Sequence, residues 1–349
     1  MQALASSENW SSYLQDPSWI PHFYDARTDT LVMARVPREA QRALTFLDPR
    51  FISRDMESPA APISQLPADQ IHNESGPLHF IFHTGFCCST LLTRALDIPG
   101  VSMGLKEPAV LACFADYWSK SRRTAGALEA LTVTLDLLAR PLTPGETQIV
   151  KPSTVANHII PQLLHARPDA KAIVLFSSLD VFLRAIARRG LEGRIFAREL
   201  FQQFAPVIPL DAGFDDDDAL LQTDLQIAAQ AWLMQASFMD ALAKRFGTKR
   251  VRVLNGDTLL ANPMGTLSAV GAFFNLNMTP EIARSIADGP VFQEHSKELG
   301  RPFNAEDRQI QYESAAANNR DELRMTLAWA RAVAARCGAP LTLDETLRP

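Results

Sequence analysis

The sequence predicts an α/β fold in which a doubly wound, mainly parallel sheet has helices on both faces, with a small N-terminal lobe and C-terminal helices added. From about residue 78 onward, short and nearly continuous apolar runs alternate with segments whose apolar residues recur at helical spacing. Such runs are typical of parallel strands covered on both faces, and their alternation with helices is typical of β-α units. The first 75 residues lack this alternation.

The N-terminal lobe is predicted to span residues 1–75, because seven prolines between Pro17 and Pro67 break that stretch into short elements. Residues 30–36 favour a strand after a polar turn, and residues 37–46 allow a helix. We expect the lobe to cover one face of the main domain or to offer a surface to a partner. The main domain then runs from residue 76 to residue 349.

The main domain is predicted to begin with an apolar strand that ends near His83, followed by a short loop and a helix. Further strands are predicted at residues 101–103, 147–152, 171–176 and 251–254. Helices are predicted after Pro108 to about residue 118, over about 125–139, 154–165, 179–189 and 220–246, and in two terminal segments between residues 305 and 337. Because the carboxyl ends of parallel strands lie at one edge, residues 83–90, 106–107, 151–153 and 177–178 should converge.

Composition argues against several classes of function. The chain has 349 residues, of which 47% are hydrophobic, and its formal net charge is −5. These values fit a globular protein and give no basic field for nucleic acid or an anionic membrane. No apolar run approaches the roughly 20 residues of a membrane span, and the N-terminus lacks the pattern of a signal peptide, so we expect a cytoplasmic protein.

Two features suggest alternatives that the sequence does not favour. Asp215 to Asp218 form an acidic run, which we interpret as a solvated loop ending in the cap of the long helix rather than as a metal site. Cys87 and Cys88 are adjacent, and a thiol at a helix start can be reactive. We interpret them as small residues that let the backbone approach a ligand, and the cysteine and histidine spacings predict no metal.

The junction at residues 77–96 is the strongest functional signal. A strand passes through a tight loop into a helix, where unpartnered N–H groups favour anions, and Ser89 and Thr90 add hydroxyl donors. An ATP-dependent kinase is not predicted, because Cys88 stands where a phosphate-binding kinase loop has Lys. A buried strand that enters a helix without any ligand is the alternative.

This junction resembles the 5′-phosphosulfate loop of sulfotransferases in its aromatic-rich strand and its Ser89-Thr90-Leu91-Leu92 sequence. Residues 252–276 resemble the late module of that family, in which a strand leads to an acidic residue and Leu and then to a helix opened by proline. The resemblance covers approximately residues 78–300. It implies a P-loop, nucleotide-binding transferase that uses 3′-phosphoadenylyl sulfate as its co-substrate and needs no metal. The sulfuryl group would be moved to a hydroxyl or amine of a small-molecule, carbohydrate or peptide acceptor.

The resemblance also implies the roles of individual residues. Glu107 would be the catalytic base and Lys151 would meet the transferred group; the alternatives are a helix-terminal charge and an exposed strand end. The residues implied in donor binding are Thr84, Gly85, Phe86, Cys87, Cys88, Ser89, Thr90, Ser177, Ser178, Arg184, Lys297 and Arg301. His295 is a further candidate, with the capping of a local turn as its alternative.

Two positions depart from the family pattern. Phe86 stands where the family usually has Lys or Arg, and Ser177 stands where it has Arg. Arg184 or Arg188 would supply the displaced positive charge, or would form an ordinary solvated helix face with Arg189. A catalytically degenerate sulfotransferase-fold protein that binds a nucleotide or a partner is therefore the alternative function. Neither the acceptor nor the oligomeric state follows from the sequence.

Overall fold

The computed structural model describes residues 7–50, 52, 58–120, 125–214, 216–294, 296–297, 307, 310 and 317–349. No helix in these ranges is both long enough and apolar enough to cross a bilayer.

The N-terminal segment forms a three-stranded antiparallel sheet with the strand order β1-β2-β3. Its elements are α1 (Ser7–Gln15), β1 (Trp19–Asp25), β2 (Thr30–Arg35), α2 (Arg38–Ala43), β3 (Ala60–Pro62), a 3₁₀ turn (Ile63–Gln65) and α3 (Ala68–Glu74). β2 lies where the sequence predicts a strand. β1 was not predicted, because its proline breaks the alternation of side chains, and the register of β1 against β2 shifts between Pro21 and Phe23.

The main sheet contains five parallel strands in the order β5-β6-β4-β7-β8. They are β4 (Leu78–His83), β5 (Ser102–Lys106), β6 (Thr147–Lys151), β7 (Ala172–Phe176) and β8 (Val251–Asn255). The chain builds one side of β4 first and then crosses to the other side. Such a reversal opens a crevice at the carboxyl ends of the strands. The predicted α/β fold class is confirmed.

Helices follow the strands. They are α4 (Ser89–Ala95), α5 (Ala109–Lys120), α6 (Ala125–Leu138), α7 (Ile160–Ala166), α8 (Leu179–Arg188), α9 (Gly190–Phe204), α10 (Asp216–Leu221), α11 (Asp224–Phe246), α12 (Gly256–Ala261), α13 (Pro263–Phe274), α14 (Pro280–Ala287) and α15 (Arg320–Cys337), with 3₁₀ turns at Thr154–Ile159 and Pro290–Phe292. The predicted helix at 154–165 therefore begins as a 3₁₀ turn. Most of the first predicted terminal helix lies outside the described residues.

Both faces of the main sheet are buried, each in its own hydrophobic cluster. On β4, Phe80 and Phe82 point into a cluster with α6, α8 and α11, whereas Ile81 points into a cluster with α4, α12 and α13. Successive strand residues alternate in direction, so an uninterrupted apolar strand supplies both clusters. The larger cluster also contains Trp10 and Leu31, so the N-terminal segment and the main domain share one core.

The interpretation of the acidic run needs one correction. Asp216 begins the short helix α10, and the long helix α11 is capped instead by Thr223, whose hydroxyl accepts a hydrogen bond from the Gln226 N–H while the Gln226 side chain accepts one from Thr223 N–H. A Thr at the N-cap with Gln at the third helical position is a capping box, and it satisfies two otherwise open donors. Within the described ranges, no group of three or more His, Cys, Asp or Glu side chains is arranged to hold a metal ion.

The C-terminal residues run beside β8. The N–H groups of Thr346 and Leu347 both donate to the carbonyl oxygen of Val253, at 3.0 and 2.9 Å. In return, Val253 N–H donates to the Thr346 hydroxyl at 2.9 Å, and Asn255 N–H donates to the Glu345 carboxylate at 3.1 Å. These contacts attach the tail to the last strand of the sheet.

Candidate functional site

The predicted convergence of the strand ends is present in the structure. Lys106 on β5 is the register partner of Lys151 on β6, and His83 ends the neighbouring strand β4. Glu107 follows β5 directly, and its N–H donates to the Lys151 carbonyl oxygen at 2.7 Å. Residues that end or follow three neighbouring strands, β4, β5 and β6, therefore meet at one edge of the sheet.

An ion pair between Lys151 and Glu107 lies at the centre of this edge. The Lys151 ammonium contacts the Glu107 carboxylate directly. Lys151 is completely buried, whereas 16% of the Glu107 side chain remains exposed. A buried ammonium needs a countercharge, because removal from water penalises the charged form. The structure thus brings together the two residues that the family resemblance implies in catalysis.

His83 adds a third polar group that the sequence did not single out. Its Nδ1 accepts a hydrogen bond from Gly85 N–H at 3.2 Å, so the ring proton resides on Nε2, which donates to the Pro152 carbonyl oxygen at 3.1 Å. The Lys151 ammonium lies 3.3 Å from the same Nε2. Burial, followed by the positive charges of Lys151 and Lys297, lowers the pKa of His83 well below its usual range. His83 is therefore a neutral ring that fixes the start of the loop.

Backbone strain is concentrated at this edge. Phe86, Cys88 and Glu107 have φ values of 53°, 66° and 55°, and Gly85 has a φ of 86°. A positive φ is unfavourable for a side chain such as Phe or Glu, and conformations of this kind cluster at functional sites. The remaining non-glycine residues with positive φ in the described ranges are Asp29 and Asn275, residue types that adopt it more readily.

Phe86, for which the resemblance implied a cation in the family, has two cations beside its ring. The ring packs edge-on against Phe182 and Phe196, at 5.7 and 5.6 Å between centroids. The Arg189 guanidinium lies 5.8 Å from its centroid and the Lys297 ammonium lies 5.9 Å from it. Positive charge is thus present beside the loop, and it comes from Arg189 and Lys297.

The remaining loop residues are mostly buried. Thr84, Cys87, Ser89 and Thr90 are at most 6% exposed, and the Thr84 hydroxyl makes no hydrogen bond within the described residues. The Cys87 thiol donates to the Leu175 carbonyl oxygen at 3.3 Å, and burial raises its pKa. A protonated thiol is a poor nucleophile, which agrees with the interpretation of Cys87 as a small packing residue.

Ser177 and Ser178 follow β7 directly and Arg184 lies on α8, and the three residues have different environments. Ser177 is completely buried, and its carbonyl oxygen accepts a hydrogen bond from the Trp232 indole N–H at 3.1 Å. The Ser178 hydroxyl caps α8 by accepting a hydrogen bond from Val181 N–H at 3.3 Å. Arg184 pairs with Asp180 at 2.8 Å and lines a cavity of about 500 Å³ with residues of α15, among them Arg320 and Arg331.

The late basic loop is described only in part. Lys297 reaches the site as an exposed residue, with its ammonium beside the ring of Phe86. Arg301 and His295 lie outside the described residues. Sequence reasoning assigned no role in the site to three of its contributors, namely His83, Arg189 and Phe46 of the N-terminal segment, since each is of a type common in cores or on helix surfaces.

Chemically, the edge offers a carboxylate that can accept a proton, an adjacent buried ammonium, a further lysine and a strained loop. These groups can stabilise an anion while removing a proton from a neighbouring nucleophile.

Comparisons with known proteins give a weak likeness. No protein-family model matches the sequence, and no curated protein sequence matches it significantly. Among solved structures, the chain is similar to the sulfotransferase domain from the curacin biosynthetic pathway, with 14% identity, a TM-score of 0.42 and coverage of 77% of this chain and 99% of that one. It is similar to the sulfotransferase domain of the Synechococcus PCC 7002 olefin synthase, with 13% identity, a TM-score of 0.39 and coverage of 70% and 95%.

A third similar structure is sulfotransferase STF1 from Mycobacterium tuberculosis H37Rv, with 11% identity, a TM-score of 0.38 and coverage of 73% of this chain and 79% of that one. Identities and TM-scores of this size assign the activity of none of these proteins to the chain.

Proposed function

We propose that this protein is a sulfotransferase-like enzyme that transfers a sulfuryl group from 3′-phosphoadenylyl sulfate to a hydroxyl or amine acceptor. One observation carries the proposal: the Lys151 ammonium contacts the Glu107 carboxylate at the carboxyl ends of adjacent strands. This ion pair lies beside a loop in which Gly85, Phe86 and Cys88 all have positive φ. Proton acceptor, cation and anion cradle are the groups that sulfuryl transfer requires.

In the proposed reaction, the Glu107 carboxylate takes the proton of the acceptor hydroxyl or amine. The acceptor oxygen or nitrogen forms a bond to sulfur as the bond between sulfur and the bridging phosphate oxygen breaks, and that oxygen leaves with its electron pair on the nucleotide product. Lys151 stabilises the negative charge that develops on the transferred and bridging oxygens. Neutral His83 adds no further charge and holds the loop through its bond to Gly85 N–H.

The contact between Lys151 and Glu107 must change during such a cycle. A carboxylate paired with an ammonium is a weaker base than a free one. A donor sulfonate that attracts Lys151 would release Glu107 to the acceptor, so donor binding would activate the base. This order of events is part of the proposal.

A catalytically degenerate protein that binds a nucleotide or a partner is the second candidate. It is favoured by two observations, the aromatic Phe86 in place of a cation and the complete burial of Ser177 in place of the strand-end Arg. Such a protein would keep the anion cradle and lose turnover.

The experiment that separates them begins with calorimetry on the full chain, using 3′-phosphoadenylyl sulfate and adenosine 3′,5′-bisphosphate. Transfer of radiosulfate to a panel of hydroxyl and amine acceptors is then measured for wild type, Glu107→Gln and the control Glu199→Gln, which changes an exposed carboxylate on α9. We expect Glu107→Gln to lose about 100- to 10,000-fold in transfer rate with nucleotide affinity retained, as for other general bases. Binding without transfer by wild type supports the degenerate protein. The absence of nucleotide binding contradicts the enzyme and the nucleotide-binding form of the degenerate protein, and leaves only its partner-binding form.

A further inference from the structure

We infer that Phe46, a residue of the N-terminal segment, is a positioning residue of the candidate site whose ring holds the ammonium groups of Lys151 and Lys297. The contact between ring and cations stands on geometry alone, and only its consequence for catalysis rests on the proposed function.

The segment that carries Phe46 is attached to the strand end beside Glu107. Leu47 N–H donates to the Lys106 carbonyl oxygen at 2.7 Å, and the Leu47 carbonyl oxygen accepts from Ala109 N–H at 3.0 Å. These two bonds flank the left-handed Glu107. The Thr45 hydroxyl donates to the Lys297 carbonyl oxygen at 3.1 Å. The N-terminal segment therefore forms a wall of the site and is fixed to both of its sides.

The ring of Phe46 is surrounded by positive charge. The Lys151 ammonium lies 5.4 Å from the ring centroid and the Lys297 ammonium lies 5.6 Å from it. The Arg50 guanidinium, which also pairs with Asp48, lies 5.1 Å from it. Phe46 is only 9% exposed. Cations within about 6 Å of an aromatic centroid are attracted by the negative face of the ring, and the attraction grows when water is excluded.

An aromatic ring can stabilise the two lysines without cancelling their positive charge, which a carboxylate could not do. Lys151 and Lys297 repel each other, and the carboxylate of Glu107 is the countercharge that contacts Lys151. A second carboxylate would neutralise the lysines and repel an anionic substrate. The quadrupole of a ring stabilises both ammonium groups without a formal charge, so the site keeps its net attraction for an anion.

The test replaces Phe46 in the full chain by 4-fluoro-, 3,5-difluoro- and 3,4,5-trifluorophenylalanine through nonsense suppression. Successive fluorine atoms weaken the negative face of the ring at almost constant shape. We measure the acetic anhydride labelling rate of the exposed Lys297 by mass spectrometry at fixed pH, relative to the exposed Lys249. The same three substitutions at Phe204, a buried ring on α9, are the matched control.

Labelling of Lys297 is expected to rise stepwise with the number of fluorine atoms, by about two- to fivefold for the trifluoro variant, because a weaker ring–cation attraction raises the neutral amine fraction. The Phe204 series should show no trend. Equal labelling rates across the Phe46 series would overturn the inference, since a role in packing alone is insensitive to ring charge. A stepwise rise in a protein that transfers no sulfuryl group would support the ring–cation contact while the proposed function fails.

Discussion

Replacement of Glu107 by Gln is expected to destabilise the fold, because it leaves the Lys151 ammonium buried without its countercharge. Lys151 is 0% exposed, and breaking a buried ion pair by removing one partner typically costs about 3–5 kcal/mol in the free energy of unfolding. Glu107 keeps 16% of its side chain in solvent and Gln still offers an acceptor oxygen, so the lower end, about 3 kcal/mol, applies. Lys151→Met should lower the free energy of unfolding by about the same amount, since it leaves the Glu107 carboxylate without its countercharge.

The double variant Glu107→Gln/Lys151→Met removes both charges, so neither charge is left buried without a partner. Its loss should be about 3 kcal/mol or less, well below the sum of the single losses, which gives a coupling energy of at least about 3 kcal/mol. Urea unfolding followed by circular dichroism measures all four corners of the cycle. The exposed pair Arg189–Glu192, with side chains 39% and 79% exposed, is the matched control and should couple by less than about 0.5 kcal/mol. Strictly additive losses at Glu107 and Lys151 would refute the reasoning.

Two further predictions concern the fold. Burial lowers the pKa of His79 to about 4, below its usual 6.5, so its contribution to stability is present above pH 6.5 and is lost as pH falls toward 4. Between pH 7 and pH 5 the free energy of unfolding should fall by about 2 kcal/mol more in wild type than in His79→Gln, as measured by urea titration, and parallel pH profiles would contradict this assignment. A Cβ on Gly104 would collide with the Thr93 carbonyl oxygen, so Gly104→Ala should lower the free energy of unfolding by about 1–3 kcal/mol. The control Gly126→Ala, where a Cβ has open space, should leave the free energy of unfolding unchanged or raise it by up to about 1 kcal/mol. Equal urea midpoints for the two variants would contradict the packing of α4 on β5.

The fold could be predicted from the sequence where local pattern and tertiary environment agree. The strand at Leu78–His83 is apolar at every position save its histidines, and burial on both faces is what such a run requires. The start of α11 was less predictable. Leu220 continues the apolar pattern of the long helix, but Thr223 and Gln226 form a capping box that restarts the helix at Asp224. The start of the helix is therefore set by its capping residues and not by the periodicity of its apolar residues.

The strand pattern predicted only those site residues that end a strand or follow it directly, and Lys297 was found through the family resemblance alone. Glu107 and Lys151 met because strand register brings their positions together, and register follows from a parallel sheet. Phe46 and Arg189 could not be found in this way. Phe46 reaches the site through hydrogen bonds made about 60 residues further along the chain, and Arg189 reaches it by lying over the ring of Phe86. Long-range contacts of this kind leave no periodic trace in the sequence.

The tail beside β8 has a consequence for self-association. β8 is an outer strand of the main sheet, and an outer strand usually presents N–H and C=O groups to which a strand from another molecule can add. In this protein the N–H groups of Val253 and Asn255 already donate to Thr346 and Glu345, and the Val253 carbonyl oxygen accepts from Thr346 and Leu347. The tail thus occupies the hydrogen-bonding positions that a second chain would need, and it protects β8 from intermolecular pairing and from growth into a larger sheet.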